Sequence, residues 1–198
     1  MNERESLVVL GLGNVLLQDD GVGAAAVALL LERYDVPAGA RVLDGGTLGL
    51  SLLPYLETAD SVILVDAIRA EGNPGSLVRL NGTEVAPAVA TRLSPHQVGV
   101  ADLLDGARWL GRYPKHLVLL GLVPDSMDLV VGLSPCVQPQ LLTLVECVVD
   151  EARTLGFEFR PKSAEANGVE GRASIGASEN ETGSVGQPLD VARLAGLR

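Results

Sequence analysis

Three residues of this 198-residue chain combine a side chain that can bind a divalent metal or catalyse hydrolysis with a position in a loop or at the end of a predicted element. Asp20 lies in a glycine-rich loop after the first apolar run, Asp66 directly follows a buried run, and His96 lies in a proline-containing turn before a helix. Carboxylate oxygens combined with an imidazole nitrogen suit borderline ions such as Zn²⁺, Mn²⁺ and Ni²⁺. Spacing alone makes these three residues a plausible metal site, but a weakly indicated one.

Each of these residues also has an ordinary structural interpretation. Asp19 and Asp20 precede a predicted helix, where one carboxylate would cap the free N–H groups and the other would be spare. Asp66 could cap a turn, and His96 could be a solvent-exposed loop residue. The second histidine, His116, opens a predicted strand and is expected on the surface. The residue types therefore leave both interpretations open.

Other catalytic patterns are not found in the sequence. Residues 11–23 begin like a dinucleotide-binding fingerprint, but Leu16 stands where that motif needs its third glycine. There is no GxSxG nucleophile elbow. Cys136 and Cys147 lack CxxC spacing and are expected to be free, reduced thiols, and no histidine lies near Cys136 in sequence to activate it.

The composition excludes several classes of protein. A net charge of −10 and a pI of about 4.6 disfavour binding to nucleic acid. No apolar run reaches the 18 residues that a membrane span needs, and the charged residues 1–6 do not resemble a signal peptide. We therefore expect a cytoplasmic protein that has neither a nucleic-acid nor a membrane partner.

Apolar runs alternate with helical patterns along the chain. This order predicts an α/β fold, a three-layer sandwich in which a mostly parallel, twisted sheet of about five strands carries helices on both faces. The predicted strands are residues 6–10, 41–43, 61–65, 75–80 (at an edge) and 116–123. The predicted helices are residues 22–34, 50–57, 97–110 and 133–155. Pro135 is expected in the first turn of the last helix and Gly156 at its C-terminal cap.

The composition changes after Lys162. Residues 163–198 are rich in Gly, Ala, Ser, Glu and Asn and contain almost no aliphatic runs. Such a segment cannot bury enough apolar surface to offset its ordering entropy. The sequence therefore predicts a folded domain over residues 1–162 and a polar, disordered tail over residues 163–198.

Five short motifs occur in a fixed order between about residues 7 and 160. They are GxGN…DDGxG at 11–23, LDGGT at 43–47, VDA at 65–67, SPHQ at 94–97 and GLVPDS at 121–126. In this order they resemble the motifs of the nickel–iron hydrogenase maturation endopeptidases. The tail has no counterpart in that family.

The resemblance implies an endopeptidase that removes a C-terminal extension from the hydrogenase large-subunit precursor after nickel insertion. The family's metal-contacting positions match Asp20, Asp66 and His96, which would also be the catalytic residues. The nickel would be delivered by the substrate, and other divalent ions could occupy the site in vitro. Many relatives have Glu in place of Asp20, and the Asp side chain is shorter by about 1.5 Å.

Two further expectations follow from the resemblance. The loop formed by Asp44, Gly45, Gly46 and Thr47 would bind the substrate backbone or an oxyanion, with a plain tight turn as the alternative. The protein is expected to be a monomer, because its active edge must admit a large partner.

Three other functions stay open at the level of the sequence. One is a metal-dependent hydrolase of another substrate, with its own bound ion on the same fold. The second is a non-catalytic metabolite-binding α/β module. The third is a chaperone of hydrogenase assembly that does not cleave its partner.

Overall fold

A computed structural model describes residues 7–90 and 98–162 of the chain. The strands in these two ranges are β1 (Leu7–Leu12), β2 (Tyr34–Asp35), β3 (Ala40–Gly46), β4 (Ser61–Ala67), β5 (Leu77–Asn81), β6 (His116–Leu122) and β7 (Arg160–Pro161). The α-helices there are α1 (Val22–Arg33), α2 (Leu53–Thr58), α3 (Val85–Ala90), α4 (Val98–Trp109) and α5 (Leu141–Thr154). No helix in the described ranges is long and apolar enough to cross a membrane.

Five strands form one mixed sheet in the order β3-β1-β4-β6-β5. The pairs β1–β3, β1–β4 and β4–β6 are parallel, and β5 runs antiparallel to β6 at the edge. The mostly parallel five-stranded sheet and its edge strand are thus as predicted. A separate two-stranded pair, β2 with β7, was not predicted, because two residues are too few to show a periodic pattern.

The sheet separates two apolar clusters, which confirms the three-layer arrangement. Leu7 and Val9 of β1 pack with α1 and α5 on one face. Val8 and Leu10 pack with α2, α3 and α4 on the other. Successive side chains of a strand point to opposite faces, so a central strand covered on both sides reads as a continuous apolar run.

The last helix is shorter than predicted. Helix α5 begins at Leu141 and follows a 3₁₀ turn at Gln138–Gln140, so Pro135 does not lie in its first turn. Pro139 lies in that 3₁₀ turn, just before the helix, at a position where its missing N–H has no helical acceptor to lose.

The predicted cap at Gly156 is confirmed. Gly156 has φ +90°, and the Phe157 N–H bonds back to the carbonyl oxygen of Ala152 at 2.9 Å. This is the Schellman arrangement, in which glycine takes the left-handed position.

Two predictions concern residues outside the described ranges. His96 lies between the two ranges, and the tail at 163–198 follows the second one. The domain boundary at residue 162 stays a prediction as well.

Candidate active site

The candidate site lies at the edge of the sheet where the parallel strands end. Gly11 of β1 is paired with Asp44 of β3 on one side and with Val65 of β4 on the other. Strand β4 continues through Asp66 to Ala67, so Asp66 is part of the strand and does not follow it as predicted. Ligands of α/β proteins bind at this carboxyl edge.

A 3₁₀ turn at Gln18–Gly21 carries Asp20 to this edge and contacts β4. Two glycines permit the close approach. Gly13 has φ +112°, and a β-carbon there would lie 1.8 Å from the carbonyl oxygen of Asp20. A β-carbon on Gly23 would lie 2.3 Å from the carbonyl oxygens of Leu12 and Val65. The start of α1 therefore sits directly against the ends of β1 and β4.

Asp20 and Asp66 are both buried here, at 1% and 3% exposure. The Oδ2 atom of Asp20 accepts the Asn14 N–H at 2.7 Å. The Oδ1 atom of Asp66 accepts the N–H of Ala67 at 2.6 Å. These backbone bonds fix how each carboxylate is oriented, because a charged acceptor makes a hydrogen bond short and strong.

Asp19 has a different role from Asp20, although the two are adjacent. It is fully buried, and its Oδ2 accepts the N–H groups of Asp125 and Ser126 at 2.9 and 3.1 Å. Its Oδ1 accepts the Ser134 N–H at 2.7 Å. Asp19 therefore anchors the loop at residues 125–134 to the turn that carries Asp20.

The predicted capping role is wrong for this pair of aspartates. Helix α1 has Gly21 at its N-cap and no side-chain cap bond. Sequence reasoning missed the role of Asp19 because its partners are 106 to 115 residues away. The signal that could have found it is the GLVPDS motif, which contains two of those partners.

The loop predicted to bind substrate lies at the same edge. Asp44, Gly45 and Gly46 end β3, and the exposed Thr47 follows. Asp44 Oδ1 accepts the Gly46 N–H at 3.0 Å, and the Gly46 carbonyl accepts the N–H of Gly13, also at 3.0 Å. The Gly46 N–H is thus used within the loop, which counts against Gly46 as an oxyanion donor.

The third predicted ligand, His96, lies outside the described residues. Within residues 7–90 and 98–162, no group of three or more His, Cys, Asp or Glu side chains is arranged to hold a metal ion. His116 is exposed at the start of β6, as expected of a surface histidine. Cys136 is exposed, Cys147 is half-buried, and both are free thiols, as predicted.

Sequence comparisons match this chain to a family of known proteases. The family model for hydrogenase maturation protease matches residues 25–151. The Hydrogenase 2 maturation protease of Escherichia coli (strain K12) is 38% identical over 159 residues, which cover 80% of this chain and 97% of that protein. The hydrogenase expression/formation protein HupD of Rhodobacter capsulatus is 38% identical over 156 residues, covering 78% of this chain and 74% of that one.

Solved structures agree as well. The hydrogenase maturating endopeptidase HybD from E. coli superposes with a TM-score of 0.76 at 37% identity, covering 79% of this chain and 98% of that one. The nickel–iron hydrogenase maturation protease HybD from Thermococcus kodakarensis gives a TM-score of 0.61 at 28% identity, covering 74% and 99%. Fold and relatives thus define the class as an endopeptidase.

The chain belongs to the hydrogenase maturation protease family. Its activity is that of a hydrogenase maturation endopeptidase, which processes the C-terminus of a hydrogenase large subunit. This assignment decides against the non-catalytic metabolite-binding module and against a chaperone that does not cleave.

Proposed function

We propose that this endopeptidase recognises nickel held by the large-subunit precursor of a nickel–iron hydrogenase, and that it removes the C-terminal extension only after nickel insertion. The observation that carries the proposal is the burial of two carboxylates, Asp20 and Asp66, at one edge of the sheet. In this proposal the enzyme works as a monomer in the cytoplasm.

Electrostatics supports a cation at this edge. A buried carboxylate loses its hydration, and that loss must be offset by hydrogen bonds or by positive charge. Here two such groups lie on neighbouring segments, the 3₁₀ turn and β4, in a chain of net charge −10. A divalent ion brought by the substrate would interact favourably with both carboxylates at once.

The chemistry of the donor set suits nickel. Asp20 and Asp66 offer oxygen atoms, and His96 would add an imidazole nitrogen, a combination that borderline divalent ions accept. The nickel belongs to the substrate in this scheme, so the protease needs to complete its coordination and does not need to retain it. Other divalent ions could bind the same three residues in vitro.

The recognition step would act as a check on the precursor. A nickel-loaded precursor gains the contacts to Asp20, Asp66 and His96, whereas an empty precursor lacks them and binds more weakly. Discrimination between two substrates is a difference of binding free energies, and here one ion supplies the difference.

Cleavage would then take place beside the docked ion. Substrate-bound nickel can polarise the scissile carbonyl group. One of the two carboxylates would accept the proton of the attacking water as a general base and pass it to the amine that leaves when the C–N bond breaks. The bonds from Asn14 to Asp20 and from Ala67 to Asp66 hold these carboxylates in place before the substrate arrives.

The loop of Asp44, Gly45, Gly46 and Thr47 would guide the substrate backbone. Its last residue is exposed, and its main chain is bonded to Gly13 next to the Asp20 turn. A peptide lying along this loop would pass Asp20 and Asp66, which are called the acidic pair below.

The mass of the nickel-loaded precursor before and after incubation tests the assignment of the acidic pair. The wild type should remove the extension, and Asp66→Asn should not. Asp60→Asn is the matched control, because Asp60 precedes the same strand at its other end, where Lys115 lies 3.0 Å away. Cleavage by Asp66→Asn at the wild-type rate would contradict the proposed site.

A further inference from the structure

We propose that five exposed aliphatic side chains beside the acidic pair form a docking surface for an uncharged, aliphatic segment of the large-subunit precursor. This apolar rim consists of Val15, Leu16, Leu129, Val130 and Val131. The inference rests on the proposed function, since it takes the precursor as the occupant.

The side chains of the apolar rim are between 50% and 80% exposed. A single exposed aliphatic residue needs no explanation on a protein surface. Five of them on two adjoining segments are different, because contiguous exposed apolar surface marks sites where other molecules bind.

Backbone bonds hold the two segments of the apolar rim side by side. The N–H of Gln18, two residues after Leu16, donates to the carbonyl oxygen of Val130 at 2.9 Å. The N–H of Asp19 donates to the Ser126 carbonyl at 3.2 Å. The three bonds to the Asp19 carboxylate hold the 125–134 loop in the same place.

The apolar rim adjoins the turn that carries Asp20. A β-carbon on Gly21 would lie 2.9 Å from the Cα atom of Val15, so the first segment of the rim contacts the residue after Asp20. A substrate that reaches Asp20 would therefore lie beside the rim. The rim is continuous with the proteolytic site, so we choose the precursor as the occupant. A second copy of this chain bound at the rim would cover that site.

The composition of the two segments indicates the chemistry of the occupant. Residues 15–18 and 129–134 contain no charged side chain, and the exposed charges of the loop, Asp125 and Asp128, precede the rim residues. A charged group lying over the five aliphatic side chains would lose hydration without gaining a partner among them, whereas an aliphatic group gains from burial. The anchored loop also needs little reordering on binding, which favours affinity.

The direct test is a kinetic comparison of the double variant Leu129→Ser/Val131→Ser with the wild type on nickel-loaded precursor. Removing two aliphatic contacts should raise KM about tenfold and leave kcat within about twofold. Val15→Ser/Leu16→Ser, on the other segment, should raise KM to a similar extent. This second variant keeps the test valid if the first one fails to fold. An unchanged KM in both would overturn the proposal.

The matched control is Trp109→Ser/Leu110→Ser. These two residues are 92% and 56% exposed at the end of α4, which leads to the start of β6 and not to the carboxyl edge. Their replacement should leave KM unchanged. An equal rise in KM in the control would mean that general surface hydrophobicity, and not the apolar rim, governs binding.

A binding measurement separates this inference from the proposed function. Asp66→Asn, with and without the changes at Leu129 and Val131, is titrated with the precursor. About tenfold weaker binding on loss of the rim side chains supports the docking surface, even if cleavage does not depend on Asp66. Equal affinity of the two proteins for the precursor would overturn the docking surface. A wild-type dimer that the same substitutions convert to a monomer would also overturn it, because the occupant would then be a second copy of this chain.

Discussion

The carboxylate of Asp19 accepts the backbone N–H of Ser134 at 2.7 Å, across 115 residues of chain. With its two bonds to Asp125 and Ser126, it adds to the backbone bonds that link the turn carrying Asp20 to the loop after β6. Asp19 is thus a positioning residue, since it acts on the site through the loops that it holds.

Replacing Asp19 by Asn should lower the free energy of unfolding by about 2–4 kcal/mol. The Asn amide offers one acceptor oxygen and places an NH₂ group against backbone N–H donors. Each hydrogen bond to a charged acceptor contributes about 1.5–3 kcal/mol to stability. Urea unfolding measures the effect. Asp128→Asn is the control. Its exposed carboxylate accepts the Ser126 hydroxyl at 2.8 Å, and its replacement should cost less than about 0.5 kcal/mol.

Hydrogen exchange locates the effect of the Asp19 variant. The amide of Ser134 should exchange faster in Asp19→Asn, while amides in β1 and β4 keep most of their protection. Unchanged protection of Ser134 would contradict the role given to Asp19.

Gly23→Ala and Gly106→Ala should act in opposite directions, although both glycines lie in helices. A β-carbon at Gly23 meets two carbonyl oxygens at 2.3 Å, so α1 must shift from the strand ends, at a cost of at least about 2 kcal/mol. At Gly106 the nearest atoms are leucine methyl groups at 3.8 Å, and alanine should stabilise α4 by about 0.5–1 kcal/mol. The midpoint temperatures of thermal unfolding of both variants test this prediction. Equal destabilisation of the two would contradict the packing described for Gly23.

The two histidines of the chain provide a matched pair for the metal site. His96→Ala should reduce cleavage of nickel-loaded precursor by at least about 100-fold, because the proposal makes His96 a ligand to the substrate's nickel. His116→Ala should cleave normally, since His116 is exposed at the opposite end of β6. Both variants should unfold at the wild-type temperature. Wild-type cleavage by His96→Ala would contradict the role of His96 in the site.

The two thiols should react at different rates. Burial raises the pKa of the Cys147 thiol, and the nearby carboxylates of Asp150 and Glu146 raise it further. Less thiolate is then present at pH 8, so alkylation of Cys147 should be slower than that of the exposed Cys136 and should rise only at higher pH. Mass spectrometry after timed iodoacetamide treatment measures both sites. Faster labelling of Cys147 would contradict this order.

Sequence reasoning was most successful where the signal is local. The apolar run at 61–65 predicted a buried strand, which continues through Asp66 to Ala67, and Gly156 predicted the end of α5. It was wrong about the start of α5, because the Ser134 N–H bonds to Asp19 and a 3₁₀ turn at Gln138–Gln140 precedes the helix. It could not separate Asp19 from Asp20, since the partners of Asp19 lie on a loop more than 100 residues away.

The central claim is that Asp20, Asp66 and His96 recognise nickel in the substrate. The most direct measurement is the cleavage rate of the purified enzyme on nickel-loaded and nickel-free large-subunit precursor at equal concentration. We predict removal of the C-terminal extension from the loaded precursor and little or no cleavage of the empty one. Equal rates on the two precursors would contradict the account.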